Sequence, residues 1–170
     1  SANALAVTVD QIQLGVPFAT TLSTGESRVF QVTVGLGQTL EVSQTTTATA
    51  AANELFVRFG NVPTGTVFDA ASTGALAANQ SVVIATTQPG NYFILIRGHS
   101  EPAANTAVTL LADVLPFQIT DVTPDAGGDS RFVTMTVRGA GFVAGPPTSQ
   151  SLVKLVRPGI AEFDPARGAN

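Results

Sequence analysis

The residues best suited to acid–base or nucleophilic catalysis are consecutive in this sequence: the only histidine, His99, is followed by Ser100 and Glu101. A serine nucleophile needs a base within hydrogen-bond reach, and that base needs an orienting group of its own. These residues continue a segment of strand character, in which neighbouring side chains point to opposite faces. They therefore do not form a nucleophile–base pair. Cysteine is absent, which excludes a thiolate nucleophile and a thiolate zinc site. We predict a protein without catalytic residues.

Aspartate side chains supply the oxygen atoms that calcium prefers. The candidates are Asp69, Asp113, Asp121, Asp125 and Asp129. Asp121, Asp125 and Asp129 lie close to the Gly127-Gly128 turn, but the alternating Asp-x-Asp spacing of an EF-type loop is missing. Aspartates are equally common in solvent-exposed turns that bind no ion, and we favour this role for them. Calcium on these three aspartates stays an alternative, no other cofactor is predicted, and we expect calcium to change the melting temperature little.

Three side chains are candidates for contacting a partner: Tyr92, Arg58 and Arg97. Tyr92 is the only tyrosine and tryptophan is absent, so the aromatic anchors typical of sugar-binding faces and protein hot spots are scarce. Arg58 and Arg97 end comparable strands, where a guanidinium is able to bind a partner's carboxylate. A structural role, in which they pair with Glu54 or Glu101 and cover apolar surface, is favoured over binding.

The composition is that of a folded protein with a neutral, polar surface. Of its 170 residues, 44% are hydrophobic and only 12% are charged, against about 25% charged in typical soluble domains. A net charge of −4 with eight scattered Lys and Arg residues argues against nucleic-acid binding through phosphates. No apolar run approaches the ~20 residues of a membrane span, so membrane insertion is not expected. Since the chain begins with Ser1, we expect a piece of a longer protein.

Short segments of alternating polarity, separated by turn residues, dominate the chain. Residues 28–34 are typical, because Phe30, Val32 and Val34 alternate with side chains that face the other way. Such segments recur about every 8–12 residues without a sustained helical period, which predicts an all-β antiparallel sandwich. The Thr- and Ala-rich residues 44–53 predict a surface loop.

The most strongly patterned segment is 92–96, Tyr-Phe-Ile-Leu-Ile, which follows a Pro89-Gly90 turn and ends before Gly98. Its unbroken run of apolar residues is typical of a strand buried on both faces. We predict that this segment is the central strand of the first unit.

The order of several segments resembles the bacterial pre-peptidase C-terminal domain. The segments are Gly-Glu-Ser-Arg-Val-Phe-Gln-Val at 25–32, Gly-Gln-Thr-Leu at 37–40, Glu-Leu-Phe-Val-Arg-Phe-Gly at 54–60 and Pro-Gly-Asn-Tyr-Phe-Ile-Leu-Ile-Arg-Gly at 89–98. The resemblance covers about residues 14–114 and implies a jelly-roll-like β-sandwich, found on secreted proteases and other exported proteins and related to collagen-binding modules. The family usually has an aspartate where Glu54 stands, so the resemblance does not carry a calcium role to this strand start.

Beyond Phe117 the pattern resembles the opening of an immunoglobulin-like IPT/TIG domain. The resemblance rests on a first strand that ends at Pro124, on the Gly127-Gly128 turn and on a second strand that closes in Gly-Ala-Gly-Phe at 139–142. Strands are predicted at 119–122, 132–138 and 152–156, fewer than the seven or so of a complete sandwich. The predicted domains are therefore a sandwich over 1–114 and a partial immunoglobulin-like β-sandwich over 115–170. An incomplete sheet leaves an open edge, so self-association through it is also predicted.

These observations predict a non-catalytic accessory or adhesion module of a larger secreted or cell-surface bacterial protein. Its partner would be an extracellular protein or polysaccharide, or it would act as a spacer. The alternative is a substrate-targeting module of a secreted hydrolase such as a protease. The neighbouring domains of the full-length product distinguish the two, because a protease domain upstream favours targeting and further sandwich repeats favour adhesion.

Overall fold

A computed structural model describes residues 9–73, 77–124 and 134–142. Within these ranges the chain forms eleven β-strands and no helix. A sheet of five strands packs against a sheet of four, and a pair of strands follows them. The predicted all-β antiparallel sandwich is confirmed.

The five-stranded sheet contains β1 (Asp10–Gln11), β3 (Ser27–Val34), β8 (Gly90–Ser100), β5 (Ala52–Phe59) and β6 (Ala70–Ser72), in that spatial order. All neighbours are antiparallel except β1, which runs parallel to β3 and meets it at two residue pairs. β8 lies in the middle, where the sequence predicted its central strand. However, within residues 92–96 only Tyr92, Ile94 and Ile96 are buried, whereas Phe93 and Leu95 are half-exposed. The expectation of burial on both faces is wrong, because within the described residues only one side of this sheet carries a second sheet.

The four-stranded sheet contains β2 (Phe18–Leu22), β9 (Thr106–Leu115), β4 (Thr39–Thr45) and β7 (Gln80–Ile84), again in spatial order and antiparallel throughout. Alternation along each strand decides which side chains enter the core. On β9 the inward set is Val108, Leu110 and Ala112, and on β4 it includes Leu40 and Val42.

The core lies between the two sheets. Phe30 on β3 is fully buried, and its ring meets Phe18 of β2 edge to face, with ring centroids 5.4 Å apart. This pair joins the sheets, and edge-to-face contacts add about 0.5–1.5 kcal/mol to the free energy of unfolding beyond the area that they bury. The inward alternation predicted for residues 28–34 is therefore confirmed at Phe30, Val32 and Val34.

The Thr- and Ala-rich segment is shorter as a loop than its composition predicts. β4 continues through Thr45 and β5 begins at Ala52, which leaves residues 46–51 between the strands. Gln44 faces the core with no exposed surface. The burial of Gln44 could not be predicted from the sequence pattern, because a polar glutamine next to Thr and Ala residues is typical of a loop.

A two-stranded antiparallel sheet formed by β10 (Gln118–Thr123) and β11 (Thr136–Ala140) follows the sandwich. The Gly141 backbone N–H donates to the Thr39 hydroxyl at the edge of the sandwich, at 2.9 Å. β10 matches the strand predicted at 119–122, whereas 152–156 lies outside the described residues. The resemblance to an IPT/TIG domain and the domain boundary at 114/115 stay predictions.

Candidate functional site

The outer side of the five-stranded sheet, away from the core, carries two rows of side chains that we call the outer face. In the first row Val29 lies opposite Leu95, which lies opposite Phe56. In the second row Phe93 lies between Gln31 and Arg58. All of these side chains are half-exposed except Phe56, which is buried. The outer face is thus a contiguous apolar surface, bounded by an amide on one strand and a guanidinium on another.

Phe56 is buried because a loop folds back over its end of the outer face. Phe68 packs on it with ring centroids 5.6 Å apart, while Phe68 itself keeps 42% of its surface exposed. Asp69 fixes the loop, since its carboxylate accepts a hydrogen bond from the Phe59 N–H at 2.7 Å and its own N–H donates to the Val57 carbonyl at 2.9 Å. Phe68 is therefore held at the margin of the outer face by the two hydrogen bonds of its neighbour Asp69.

The two predicted arginines lie on this side of the sheet in different surroundings. Arg97 lies opposite Glu54, and its Nη1 is 3.7 Å from the Glu54 carboxylate. With about half of the arginine exposed, such a pair contributes at most about 1 kcal/mol to folding. Arg58 lies beside Phe93 and forms no ion pair with any residue that the structure describes.

The third predicted residue, Tyr92, points the other way, because it neighbours Phe93 on a strand. It is 2% exposed, its hydroxyl accepts a hydrogen bond from the Gln88 N–H at 2.9 Å, and its ring packs 5.2 Å from that of Phe59. The structure thus brings Arg58 and Arg97 to one side of the sheet and places Tyr92 in the core.

The residues considered for catalysis and for calcium are dispersed in the described structure. His99 and Ser100 are exposed at the end of β8. Asp121 accepts a hydrogen bond from Thr123 and forms an ion pair with Arg138 at 3.4 Å, while Asp125 and Asp129 lie outside the described residues. In the parts of the chain that are described, no three His, Asp or Glu side chains gather in a metal-binding arrangement.

One end of the sandwich holds a group of polar side chains that we call the polar corner: Gln44, Asn53, Gln80, Glu101 and Thr106. Asn53 has no exposed surface, and its amide nitrogen donates to the Ala78 carbonyl at 2.9 Å. Gln80 donates to the Asn53 carbonyl at 2.6 Å and lies opposite Gln44 in the sheet register. The position of Asn53 is therefore fixed through both its side chain and its backbone.

Glu101 projects into the polar corner from the turn between β8 and β9. Burial raises the pKa of its carboxyl group, and the neighbouring side chains of Thr106 and Asn53 oppose that rise. Among the described residues, neither carboxylate oxygen has a hydrogen bond of good geometry, and neither does Oδ1 of Asn53. The sequence hides this arrangement, because nothing in the spacing of Asn53 and Glu101 predicts that they meet.

Comparisons with sequences of known proteins gave no match. No protein-family model matches the sequence, and no curated protein matches it. Its fold class rests on the strands and sheets described above. No helix of the described residues has the length and apolar character needed to cross a membrane.

Several solved structures are similar to it. The pre-peptidase C-terminal domain of a collagenase from Bacillus anthracis is 12% identical over 65% of this chain and 99% of that one, with a TM-score of 0.49. PliG, a periplasmic inhibitor of g-type lysozyme from Aeromonas hydrophila, is 10% identical over 63% and 97% of the two chains, with a TM-score of 0.46. CorA, a surface-associated copper-binding protein of Methylomicrobium album BG8, is 9% identical over 63% and 98%, with a TM-score of 0.45.

Proposed function

We propose that this chain is a non-catalytic binding module of an exported bacterial protein and that its outer face contacts an extracellular protein. The observation that carries the proposal is the contiguous pair of rows across β3, β8 and β5, in which Val29, Phe93 and Leu95 remain half-exposed.

The chemistry of the outer face supports a protein partner. Contiguous apolar patches on soluble proteins are commonly interaction sites. Interface centres are rich in aromatic side chains and arginine and poor in other charges. Phe93 with Arg58 beside it has this composition, and Phe68 extends the apolar area at one margin. Since Arg58 forms no ion pair within the described chain, its guanidinium is available to a partner's carboxylate.

A protein partner is preferred to a polysaccharide for a specific reason. Sugar-binding faces commonly present tryptophan or tyrosine, on which a ring stacks while the polar edge bonds a hydroxyl. Tryptophan is absent from the sequence, and the only tyrosine, Tyr92, is buried. The resemblance of residues 14–114 to a domain of exported proteins supports an extracellular location.

Binding to immobilised extracellular proteins and to immobilised polysaccharides tests the proposal. The wild type is compared with Phe93→Ser on the outer face and with the matched control Val83→Ser, since Val83 is 51% exposed on the other sheet. We expect the wild type to bind a protein, Phe93→Ser to weaken that binding at least tenfold and Val83→Ser to leave it unchanged.

The other results are equally informative. Equal affinity of the wild type and Phe93→Ser for the bound protein would exclude the outer face. Binding to polysaccharides alone would replace the protein partner by a glycan. Binding to neither class would favour a spacer. Targeting of a secreted hydrolase is tested by deleting the module from the full-length protein, since slower cleavage of an insoluble substrate but not of a small soluble one would support it.

A further inference from the structure

We infer that the outer face is a docking surface for a short amphipathic α-helix of a partner protein, which lies across the strands and carries an acidic residue on one flank. The inference rests on the proposed function, because it names the segment of the partner that this face accepts. It depends on the spacing and the charge of the outer face, whereas the proposed function needs only its exposed apolar side chains.

The first argument is the spacing of the apolar side chains across the strands. Val29, Leu95 and Phe56 lie opposite one another on three neighbouring strands. Since neighbouring strands are about 4.8 Å apart, Val29 and Phe56 are separated by about 10 Å. One face of an α-helix repeats at i, i+4 and i+7, and seven residues rise about 10.5 Å. Side chains on one face of an extended segment recur about every 6.6 Å, which does not match this row.

The second argument is a preformed wall at one end of the row. Phe68 covers Phe56, so the third position of the row offers the exposed part of the Phe68 ring. The loop that carries Phe68 is closed by its own hydrogen bonds. The Thr64 N–H donates to the Val67 carbonyl and the Val67 N–H donates to the Thr64 hydroxyl, each at 3.0 Å. A contact that is already in place lowers the ordering cost of binding, so the end of a helix would pack against Phe68 at little such cost.

The third argument is the size of the apolar area. Polar pairs border it at both ends along the strands, since the Thr33 hydroxyl donates to Oδ1 of Asn91 at 2.8 Å on one side and Arg97 pairs with Glu54 on the other. Two rows on three strands remain, on the order of 200 Å². A stable complex of two folded domains buries roughly 800 Å² on each partner. Two to three turns of a helix about 10 Å wide cover the smaller area.

The fourth argument is the unequal charge of the two flanks. Beside Leu95, the Arg97 guanidinium already has the Glu54 carboxylate at 3.7 Å. Beside Phe93, Arg58 forms no ion pair with any described residue. Because a guanidinium binds a carboxylate through two parallel hydrogen bonds, the helix should carry Asp or Glu on the flank that faces Arg58.

Two displayed peptide libraries of equal length test the inference on the full chain. One library varies a single face of a helical framework, and the other varies a single face of a β-hairpin framework. Each library is depleted on Phe93→Ser and then selected on the wild type. We expect binders from the helical library, with apolar residues at i, i+4 and i+7 and an acidic residue on one flank.

Variants of the full chain then locate the selected helical peptide. Leu95→Ser should weaken its binding at least about tenfold and Arg58→Gln at least about threefold. Arg138→Gln, which changes an arginine on β11 that is 71% exposed, should leave the binding unchanged. Replacing the acidic residue of the peptide by its amide should weaken binding to the wild type but have no further effect on Arg58→Gln. Thermal unfolding of each variant verifies that it is folded.

Four results would overturn the inference. If binders come from the hairpin library alone, or if no peptide binds while a protein partner still depends on Phe93, the outer face accepts another kind of segment and the proposed function stands. If the helical peptide binds Arg58→Gln as tightly as the wild type, the acidic flank is wrong. If light scattering shows a dimer that Phe93→Ser dissociates, a second copy occupies the outer face. If neither a peptide nor a protein depends on Phe93, the proposed function fails together with the helix.

Discussion

Arg28 and Thr20 join the two sheets of the sandwich through one hydrogen bond: the Arg28 guanidinium, on β3, donates to the Thr20 hydroxyl on β2. The same guanidinium pairs with Glu26 through Nε at 3.0 Å. A single side chain therefore connects the five-stranded sheet, the four-stranded sheet and the turn that precedes β3.

We expect Arg28→Ala to lower the free energy of unfolding by about 1 kcal/mol, because hydrogen bonds to a charged group are lost while partial exposure weakens them. Arg138→Ala is the matched control, since Arg138 forms an ion pair at 3.4 Å and is 71% exposed. Its cost should be close to zero. Urea unfolding of both variants gives the comparison, and equal costs would show that the contact between the sheets contributes nothing.

Two carboxyl groups should give stability a maximum in mildly acidic solution. The Arg28 guanidinium holds the pKa of Glu26 below its ordinary 4.5, so its contribution is present above pH 4.5 and is lost as the pH falls through the lowered pKa. Burial holds the pKa of Glu101 above 4.5. Its folded form binds more protons than the unfolded chain between 4.5 and the raised pKa, so stability decreases as the pH rises through that interval.

Thermal unfolding across this pH range separates the two groups. Glu26→Gln should flatten only the acidic side of the profile, and Glu101→Gln only the side above 4.5. A Glu101→Gln profile that still declines above 4.5 as the wild-type profile does would contradict the assignment.

Gly98 should not tolerate a methyl group. A Cβ at this position would lie 2.7 Å from the Ser23 carbonyl oxygen and 3.2 Å from Cγ of Glu101, and the carbonyl belongs to backbone that cannot move freely. We expect Gly98→Ala to cost about 1–3 kcal/mol through overpacking. Gly65→Ala is the control, as a Cβ there meets nothing within 4 Å. Equal midpoints in urea unfolding would contradict the predicted clash.

The sheet of β10 and β11 should promote self-association. Two strands are marginal alone in water, and Phe117, just before β10, and Ile119, within it, are 58% and 52% exposed. Light scattering over a concentration series should show a mass that increases for residues 1–170 and stays monomeric for residues 1–115. Strictly monomeric behaviour of both chains would refute the prediction.

The segment between β9 and β10, where we predict a domain boundary, should be accessible to proteases. β9 ends at Leu115 and β10 begins at Gln118, and we expect limited proteolysis to cut in this segment or in the loop at 46–51. Earlier cutting within β3 or β8 would be incompatible with their position in the fold.

The core residues of β3 could be predicted because apolar side chains occur at every second position of the strand. Phe30, Val32 and Val34 could be assigned to the core because neighbouring residues on β3 are more polar or less bulky. The same rule failed for Phe93 and Leu95, since an apolar residue carries no information about whether a second layer covers it. Only the sheet order shows that these two lie on an outer surface.

The polar corner could not be predicted for a different reason. Asn53 and Glu101 have the polarity of surface residues, and their proximity arises from strand register, which aligns Asn53 with Gly98. Because Gly98 has no side chain, the Glu101 side chain can pack over its Cα on the way to Asn53. This contact depends on one residue of β5, one of β8 and one of the turn from β8 to β9, and no local pattern encodes it.

The parallel pairing of β1 with β3 has a mechanical consequence. If residues 9–115 are pulled from their two ends, the load enters the five-stranded sheet through β1, which is held by two residue pairs, and the four-stranded sheet through β9, which has antiparallel neighbours on both sides. β1 would detach at low force, and β9 would resist until its ladders with β2 and β4 shear together. Single-molecule pulling should therefore record a small early extension before the main rupture, and a module of this kind would lengthen slightly under tension while its core stays folded.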